Sequence, residues 1–507
     1  MRVHGLKIER CSTSFPQAPG SLGSSFLGEV RQHALSGAYS AVLCRGVIMP
    51  APAPRGVQAV RLRRAPPRRV ANAAHVRVRG RADLGFWPLA LIAMIYVLYV
   101  PVGPALIYNE LVSGPSNLSE KLPQIWSGGR YIAALAVAPA LLMARGVRPL
   151  ARCWPAFAFA IFAAASIAWS AVPKESMRRS LDLFTVMVIT STLVSWCGLV
   201  GFGRKAQIIT GLLMIASLLV AILVPRLGVH HAYDLAQSVQ AGRWRGIFLH
   251  KNALGGIAVT SIVYGFRSIR HETGPWKAFF IAARICSVVC CLMAGSAGAW
   301  GAALVAVAFF MLMRNRATAN PIALVAMTLI GGALLQGLSL SQGQLAEALG
   351  RDTTFSGRTE IWALGRSMIQ HHLLFGSGLG TDGAIFGAVA QRQLFDSAVD
   401  LHSGYLDVLF NLGLVGAALM IGAVGAAMLR GYAYTQTHSG EERDQAVIFL
   451  TLVVAACANA TAEITPFQAL GSGAIGLWTA LPALYQLGSG RPRSKLRPHS
   501  TTRAAAL

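Results

Sequence analysis

Charged residues are scarce in this sequence. They make up 13% of its 507 residues, whereas hydrophobic types make up 54%, and the mean hydropathy is +0.52. A soluble protein carries about 25% charged residues, because its solvated surface requires them. This shortage excludes a soluble enzyme, and the sequence predicts an all-α integral membrane protein.

Acidic residues are the scarcer charged type, with 20 Asp and Glu against 45 Lys and Arg, which gives a net charge of +25. Much of the basic excess lies in residues 1–85, in Arg- and Pro-rich runs such as RLRRAPPRRV. Such runs occur in nucleic-acid-binding proteins, but beside a membrane they favour contact with an anionic inner leaflet. Residues 1–85 lack the apolar core of a cleavable signal peptide, and Met49 is an alternative start. We predict a disordered cytoplasmic arm and no nucleic-acid partner.

Metal-binding and nucleotide-binding signatures are also missing. The eight cysteines form no CxxC pair, and the sequence contains no GxxxxGK[ST] loop and no DxD carboxylate pair. These absences argue against an ATP-driven pump and a cytoplasmic nucleotide-sugar transferase. We therefore expect no metal site and no cofactor, and a donor substrate that is carried by a lipid.

Long apolar runs dominate what is present. A bilayer core about 30 Å thick requires roughly 20 apolar helical residues. By this measure a membrane domain over 86–487 contains about twelve transmembrane helices, and a basic tail, 488–507, follows it. The predicted spans are 86–107, 131–144, 154–172, 181–202, 206–225, 246–266, 278–294, 297–313, 320–340, 404–429, 446–465 and 467–487.

Basic residues in the short loops predict the orientation. The loops RGVRPLAR, GRK, RSIRHETGPWK and RNR carry them, which places these loops and both termini in the cytoplasm. Loop 226–245 and the large loop 341–403, between spans 9 and 10, are then periplasmic. Because long loops are usually functional, the site is expected on this side.

The large loop contains its own helix pattern, RTEIWALGRSMIQ. Ile361, Leu364 and Met368 share one face at helical spacing, so this helix is expected to lie on the membrane surface. The glycine-rich turn GSGLG follows it.

Ionisable residues near membrane depth usually mark a functional site. In GRWRGIFLHKNALGG, a helix is expected to begin near Gly246, which places Arg245 at the positive, anion-binding helix end. Asn252 would lie on the same face of this helix as Arg245. The alternative is that Arg245 and Lys251 only extend to the membrane interface.

Two further groups follow in the large loop. Arg358 lies just after Ser356 and Gly357, where a helix is expected to start, although a solvated loop arginine is equally consistent with this spacing. His402 lies at the outer mouth of a span and precedes Asp407; a structural histidine is the alternative. Guanidinium groups bind phosphate oxygens in bidentate fashion, and a neutral imidazole accepts protons. This combination suits displacement of a diphosphate leaving group without a metal.

Three motifs carry a family resemblance. WRGIFLHKNALGG, FSGRTEIW with the later LLFGSGLG, and LHSGYLDVLFNLGLVGAAL resemble the O-antigen ligase and polymerase family, most of all its succinoglycan-type exopolysaccharide polymerases. The resemblance is close over 242–256 and 355–416 and loose over most of 86–487. It implies a GT-C-like membrane glycosyltransferase of the bacterial inner membrane. Such enzymes transfer glycans from undecaprenyl diphosphate, on the periplasmic face, to another lipid-linked glycan or to lipid A-core.

The resemblance also implies roles for individual residues. Arg245 and Arg358 correspond to arginines that hold the donor diphosphate, and His402 to the proposed catalytic base, with inversion expected. Many relatives have Asn where this sequence has Ser403, which puts acceptor choice in doubt. Further candidates for diphosphate binding are Arg243, Lys251, Arg178 and Arg179, and the supporting residues are Asn252 and Asp407.

Three functions stay open at this point. Polymerisation of exopolysaccharide or O-antigen repeat units is favoured, with chain-length regulators and export proteins as further partners. An O-antigen ligase is the alternative within the enzyme class, and a polysaccharide transporter or flippase is the alternative from another class. Glu463, four residues after Asn459, is the feature that favours transport, but we expect it to be the partner of an outer-face arginine.

Overall fold

The computed structural model describes residues 93, 131–132, 135–143, 146–232, 240–315, 357–394, 400–463, 467 and 473–488. All of them belong to one compact unit, 77–507. Over these ranges the secondary structure is helical, apart from one isolated antiparallel bridge between Val229 and Trp244. The arm 1–85 lies outside the described residues, as do the span 320–340, almost all of the span 86–107 and nearly all of the tail.

The helices of the described ranges are numbered here in chain order. They are α1 Arg148–Arg152, α2 Trp154–Ala165, α3 Pro173–Cys197, α4 Leu199–Leu223, α5 Pro225–Gly228, α6 Lys251–Tyr264, α7 Gly274–Ala294, α8 Ala297–Arg314, α9 Gly357–Ile369, α10 Gly387–Gln393, α11 Gly404–Thr437, α12 Glu441–Asn459 and α13 Ala474–Tyr485.

Lipid-facing and buried helices are clearly separated. Among the described residues, four helical stretches are long and apolar enough to cross a membrane: α3 with α4, α7, α8 and α11. They leave apolar side chains such as Ile285, Leu304 and Ile421 exposed, as expected where lipid rather than water surrounds a helix. In contrast, α13 is buried along its whole length, and so is α12 after its first turn. The protein is thus an all-α, multi-pass membrane protein with a central layer of buried helices.

Two predicted span boundaries are wrong. The spans 181–202 and 206–225 correspond to α3 and α4, which begin earlier and are separated only by Gly198. The polar residues PKESMRR form the first turns of α3, with Pro173 at a position that suits proline in a helix. Hydropathy alone cannot detect a polar helical turn. The segment between the predicted spans 154–172 and 181–202 is therefore helical from Pro173 onwards.

Ion pairs connect several of the segments that are predicted, from their basic residues, to lie on the same side of the membrane. Glu272 accepts hydrogen bonds from Arg204 at 3.0 Å and from Arg267 at 2.7 Å. Arg267 also lies 3.9 Å from Glu441, at the start of α12. The first turns of α4, the segment between α6 and α7 and the start of α12 thus meet at one end of the helix bundle, while His402 and Arg243 belong to connections at the opposite helix ends.

Helix α11 is broken at Gly413, which has a φ of 63° and a ψ of −164°. The broken turn exposes main-chain groups that need partners, because unsatisfied groups are costly at membrane depth. The loop that follows α9 supplies them. Its amides at Ser377 and Gly378 donate to the carbonyls of Phe410 and Asn411, and its carbonyls at Leu373 and Leu374 accept from the amides of Leu414 and Val415.

This contact between the loop after α9 and the broken turn of α11 depends on glycine at position 413. A Cβ added there would lie 2.4 Å from the main-chain carbon and oxygen of Leu374. A positive φ costs a non-glycine residue about 1–3 kcal/mol. We therefore expect Gly413→Ala to lower the free energy of unfolding by at least about 2 kcal/mol, measured by thermal unfolding in detergent. The matched control is Gly422→Ala in the same helix, where a Cβ meets open space. A similar melting temperature in both variants would contradict this account.

Helix α9 confirms the predicted helix in the large loop, but its predicted environment is wrong. Ile361 is 2% exposed. It packs with Trp362, Phe386 and Leu401 in a small second hydrophobic core, against which Leu364 and Met368 also pack. The apolar face is therefore buried against protein rather than laid on a membrane. The following GSGLG turn is confirmed, since Gly376, Gly378 and Gly380 all have positive φ.

Candidate active site

The residues described between α5 and α6, 229–232 and 240–250, fold back on each other. His230 donates its amide to the carbonyl of Arg243 at 2.9 Å, and Gly242 returns a bond to the carbonyl of His230 at 2.8 Å. Helix α6 begins only at Lys251. Its N-cap is His250, whose Nδ1 accepts the amide of Asn252 at 3.2 Å. The predicted helix start near Gly246 is therefore wrong.

This shift changes the surroundings of Arg245, which precedes the helix and shares no helical face with Asn252. Its side chain is buried, and its Nε donates to the carbonyl of Leu227 at 2.8 Å. Its Nη2 lies 3.4 Å from the carbonyl of Arg226. The guanidinium thus binds main-chain carbonyls of α5, and donor binding by Arg245 stays a prediction.

The other predicted residues converge on Glu463. Its Oε1 accepts a hydrogen bond from Asn252 Nδ2 at 2.7 Å and lies 3.7 Å from Arg358 Nη2. The contact with Arg358 confirms the expected arginine partner. Glu463 is only 8% exposed. One buried carboxylate thus connects the start of α6, the start of α9 and the segment after α12.

Two more cations lie beside this carboxylate. Arg243 donates from Nη1 to the carbonyl of Gly295, between α7 and α8, and Lys251 Nζ lies 3.5 Å from the same oxygen. Lys251 interacts electrostatically with Arg243, Glu463 and Arg358. We call Arg243, Lys251, Arg358 and Glu463 the basic cluster. Its three cations outnumber its one anion, so it can accept a further anion.

His402 lies at the rim of the basic cluster, two residues before α11. Its φ of 45° makes it the one non-glycine residue with positive φ among the described residues. Asp400 Oδ1 accepts the amide of His402 at 2.8 Å and lies 3.1 Å from its ring nitrogen Nδ1. The amide of Gly404 is bonded to the carbonyls of Ala460 and Glu463. The imidazole is 27% exposed, and a substrate hydroxyl can therefore reach it.

A second histidine lies close to His402. Burial, together with the charges of Lys251 and His402, lowers the pKa of His250 to about 4. The imidazole of His250 is therefore neutral at physiological pH. Its ring centroid lies 5.5 Å from that of His230, whose Nε2 accepts the amide of Lys251.

Arg178 and Arg179 belong to a different polar group. Both bind Glu175, at 3.2 Å and 2.8 Å respectively. Arg179 also lines a cavity of about 30 Å³ with Asp382 and Asp407. Burial raises the pKa of Asp382, and the charge of Arg179 opposes this rise.

Asn411 holds this second group together. Its side-chain oxygen accepts the amides of Thr381 at 2.9 Å and Asp382 at 3.2 Å. Its side-chain nitrogen donates to Asp407 at 2.9 Å. The predicted supporting residue Asp407 thus orients Asn411, which connects α11 to the residues after the GSGLG turn, and Asp407 is not part of the basic cluster.

The comparison with known proteins covers part of this site. Residues 282–421, which contain Arg358, the GSGLG turn and His402, match the family model described as O-antigen ligase. Over this range the chain is similar to O-antigen ligases. Arg243, Lys251 and Asn252 lie outside the matched range, although the fold brings them close to Arg358 and Glu463.

One relative of the chain is the exopolysaccharide production protein ExoQ of Rhizobium meliloti (strain 1021). It is 26% identical over 282 residues, which is 52% of this chain and 62% of the relative. The similarity thus spans less than two thirds of the relative's length. It agrees with the predicted resemblance to exopolysaccharide polymerases.

Proposed function

We propose that the protein transfers a glycan from an undecaprenyl-diphosphate donor to a hydroxyl group of an acceptor glycan. The proposed reaction polymerises exopolysaccharide or O-antigen repeat units at the periplasmic face of the bacterial inner membrane. The observation that carries this proposal is the convergence of Arg358, Lys251 and Arg243 beside His402 at one end of the helix bundle. A leaving group with two phosphates requires such a cluster, and an attacking hydroxyl requires a nearby base.

The proposed reaction is one displacement. The acceptor hydroxyl gives its proton to His402 as its oxygen attacks the anomeric carbon of the donor glycan. The bond from that carbon to the phosphate oxygen breaks, and its electron pair leaves with undecaprenyl diphosphate. Arg358 and Lys251 stabilise the charge that develops on this leaving group, and the anomeric configuration inverts.

The basic cluster makes a metal unnecessary for this step, because its cations already neutralise the leaving group. We therefore expect purified protein in detergent to elongate lipid-linked glycan and release undecaprenyl diphosphate in the presence of EDTA. The measurement is mass spectrometry of the lipid-linked products, with heat-denatured protein as the control. No elongation in detergent, together with movement of lipid-linked glycan across the bilayer of reconstituted vesicles, would support the flippase instead.

The similarity to an exopolysaccharide production protein favours polymerase over ligase. Deletion of the gene distinguishes a polymerase from a ligase. A polymerase predicts loss of long secreted polymer while single lipid-linked repeats accumulate. A ligase predicts long chains that stay on the carrier and are missing from lipid A-core.

The proposal includes the orientation and architecture that the sequence predicts. These are cytoplasmic termini, about twelve spans in a GT-C-like arrangement, and a substrate-facing large loop. Chain-length regulators and export proteins are the proposed partners. Cysteine labelling on the two sides of intact cells, at exposed Arg366 and at exposed Asp444, tests the orientation.

A further inference from the structure

We propose that Asp400 is the positioning residue for His402, whose imidazole it orients and whose positive charge it stabilises during transfer. This inference rests on the proposed function and assigns a role to a residue that the sequence motifs do not mark.

One carboxylate oxygen makes both contacts. Asp400 Oδ1 accepts the main-chain amide of His402 at 2.8 Å and lies 3.1 Å from the ring Nδ1. An aspartate that binds the amide two residues later forms an Asx-turn, which mimics a main-chain turn. This turn and the bonds from Gly404 to the segment after α12 hold His402 in its left-handed conformation.

The contact to Nδ1 determines which ring nitrogen is available. Because a carboxylate only accepts hydrogen bonds, the neutral imidazole places its proton on Nδ1 and donates it to Asp400. Nε2 then carries the lone pair. The acceptor hydroxyl transfers its proton to Nε2 as its oxygen bonds to the anomeric carbon, and the resulting imidazolium lies against the Asp400 carboxylate.

The charge of Asp400 is well placed for this purpose. His402 interacts electrostatically with His250 and with the carboxylate of Glu463, and Lys251 and Arg358 act on the same carboxylate. Glu463 is bonded to Asn252 and Arg358, whereas Asp400 contacts the imidazole directly. Asp400 also acts electrostatically on Asp382 and Asp407.

The competing explanation is that Asp400 only forms the Asx-turn and has no effect on catalysis. The variant Asp400→Asn distinguishes this explanation from a positioning role. Asparagine also forms Asx-turns, so this variant keeps the turn and removes the charge. We expect kcat to fall about tenfold, a part of the roughly 10²–10⁴-fold that base catalysis supplies. Because the imidazolium formed during transfer then lacks its counter-charge, the whole pH–rate profile is expected to fall while KM changes little.

The experiment measures elongation by purified protein between pH 5 and 9, with KM and kcat determined separately. Glu360→Gln, which removes an exposed carboxylate from α9, is the matched control and is expected to leave the profile unchanged. Asp400→Ala, which removes turn and charge, is expected to be less active than Asp400→Asn. In the His402→Ala background, Asp400→Asn is expected to cause no further loss.

Wild-type kcat and pH profile in Asp400→Asn would overturn this inference and leave the proposed function intact. Wild-type elongation in His402→Ala would instead overturn the role of His402 in the proposed function. A further loss in the double variant would show that Asp400 acts on something other than His402.

Discussion

His402→Asn is expected to lower the rate of glycan transfer by about 10²–10⁴-fold, which is the usual contribution of a general base. Asparagine tolerates positive φ better than most residues, so this variant keeps the left-handed turn before α11 and removes the base. His402→Ala removes the base as well but adds strain at a φ of 45°. The measurement is single-turnover elongation of lipid-linked glycan by purified protein.

Membrane insertion and melting temperature are measured on the same samples, so that loss of activity is separated from loss of fold. His371→Ala is the matched control, because His371 is an exposed histidine in the same loop, after α9. Transfer at the wild-type rate in His402→Asn would remove this residue from the mechanism.

Arg358→Lys is expected to reduce kcat by about tenfold, and Arg358→Ala by about 10²–10³-fold, the range for loss of one charge-stabilising donor. Lysine retains the positive charge but cannot bind two phosphate oxygens through one planar fork. In the resting protein Arg358 lies 3.7 Å from Glu463. Its removal also leaves that carboxylate with one cation fewer.

The matched control for this pair is Arg366→Lys, an exposed arginine two turns later in α9. Measured KM values show whether the loss arises in binding or in the chemical step, since a group that acts mainly in the transition state changes kcat more than KM. If both Arg358 variants transfer glycan at the wild-type rate, this arginine is only a surface charge.

Much of the site region could be predicted because its signals are local. The apolar periodicity of α9 and the glycines of the GSGLG turn predict a helix and a turn at the correct places. The sequence predicts an arginine partner for Glu463, because an acidic residue near membrane depth needs a cation. That the partner is Arg358 is visible only in the structure.

The environment of Arg245 could not be predicted in this way. Ile247 and Phe248 look like the first residues of an apolar helix, yet both are buried in a turn that precedes α6. The start of α6 depends on the bridge between Val229 and Trp244. No local pattern reveals such pairing, because the two residues become neighbours only in the folded protein.

The contact between Asp400 and His402 is indicated by their spacing in the sequence, which a hydropathy analysis does not detect. An aspartate two residues before a histidine is compatible with an Asx-turn, and this geometry occurs here. The burial of the apolar face of α9 against Phe386 could be recognised only from the tertiary structure. An apolar helix face can pack against lipid or against a protein core, and its sequence does not distinguish the two.

The reciprocal bonding across the break in α11 has a consequence for protein engineering. Residues 373–378 and 410–415 complete each other's main-chain hydrogen bonds, so they form one inseparable unit even though they are distant in sequence. A chimera that exchanges only the loop, or only the helix, with a relative would leave bare amides and carbonyls in a nonpolar setting. Grafts that aim to change acceptor preference should carry both segments together.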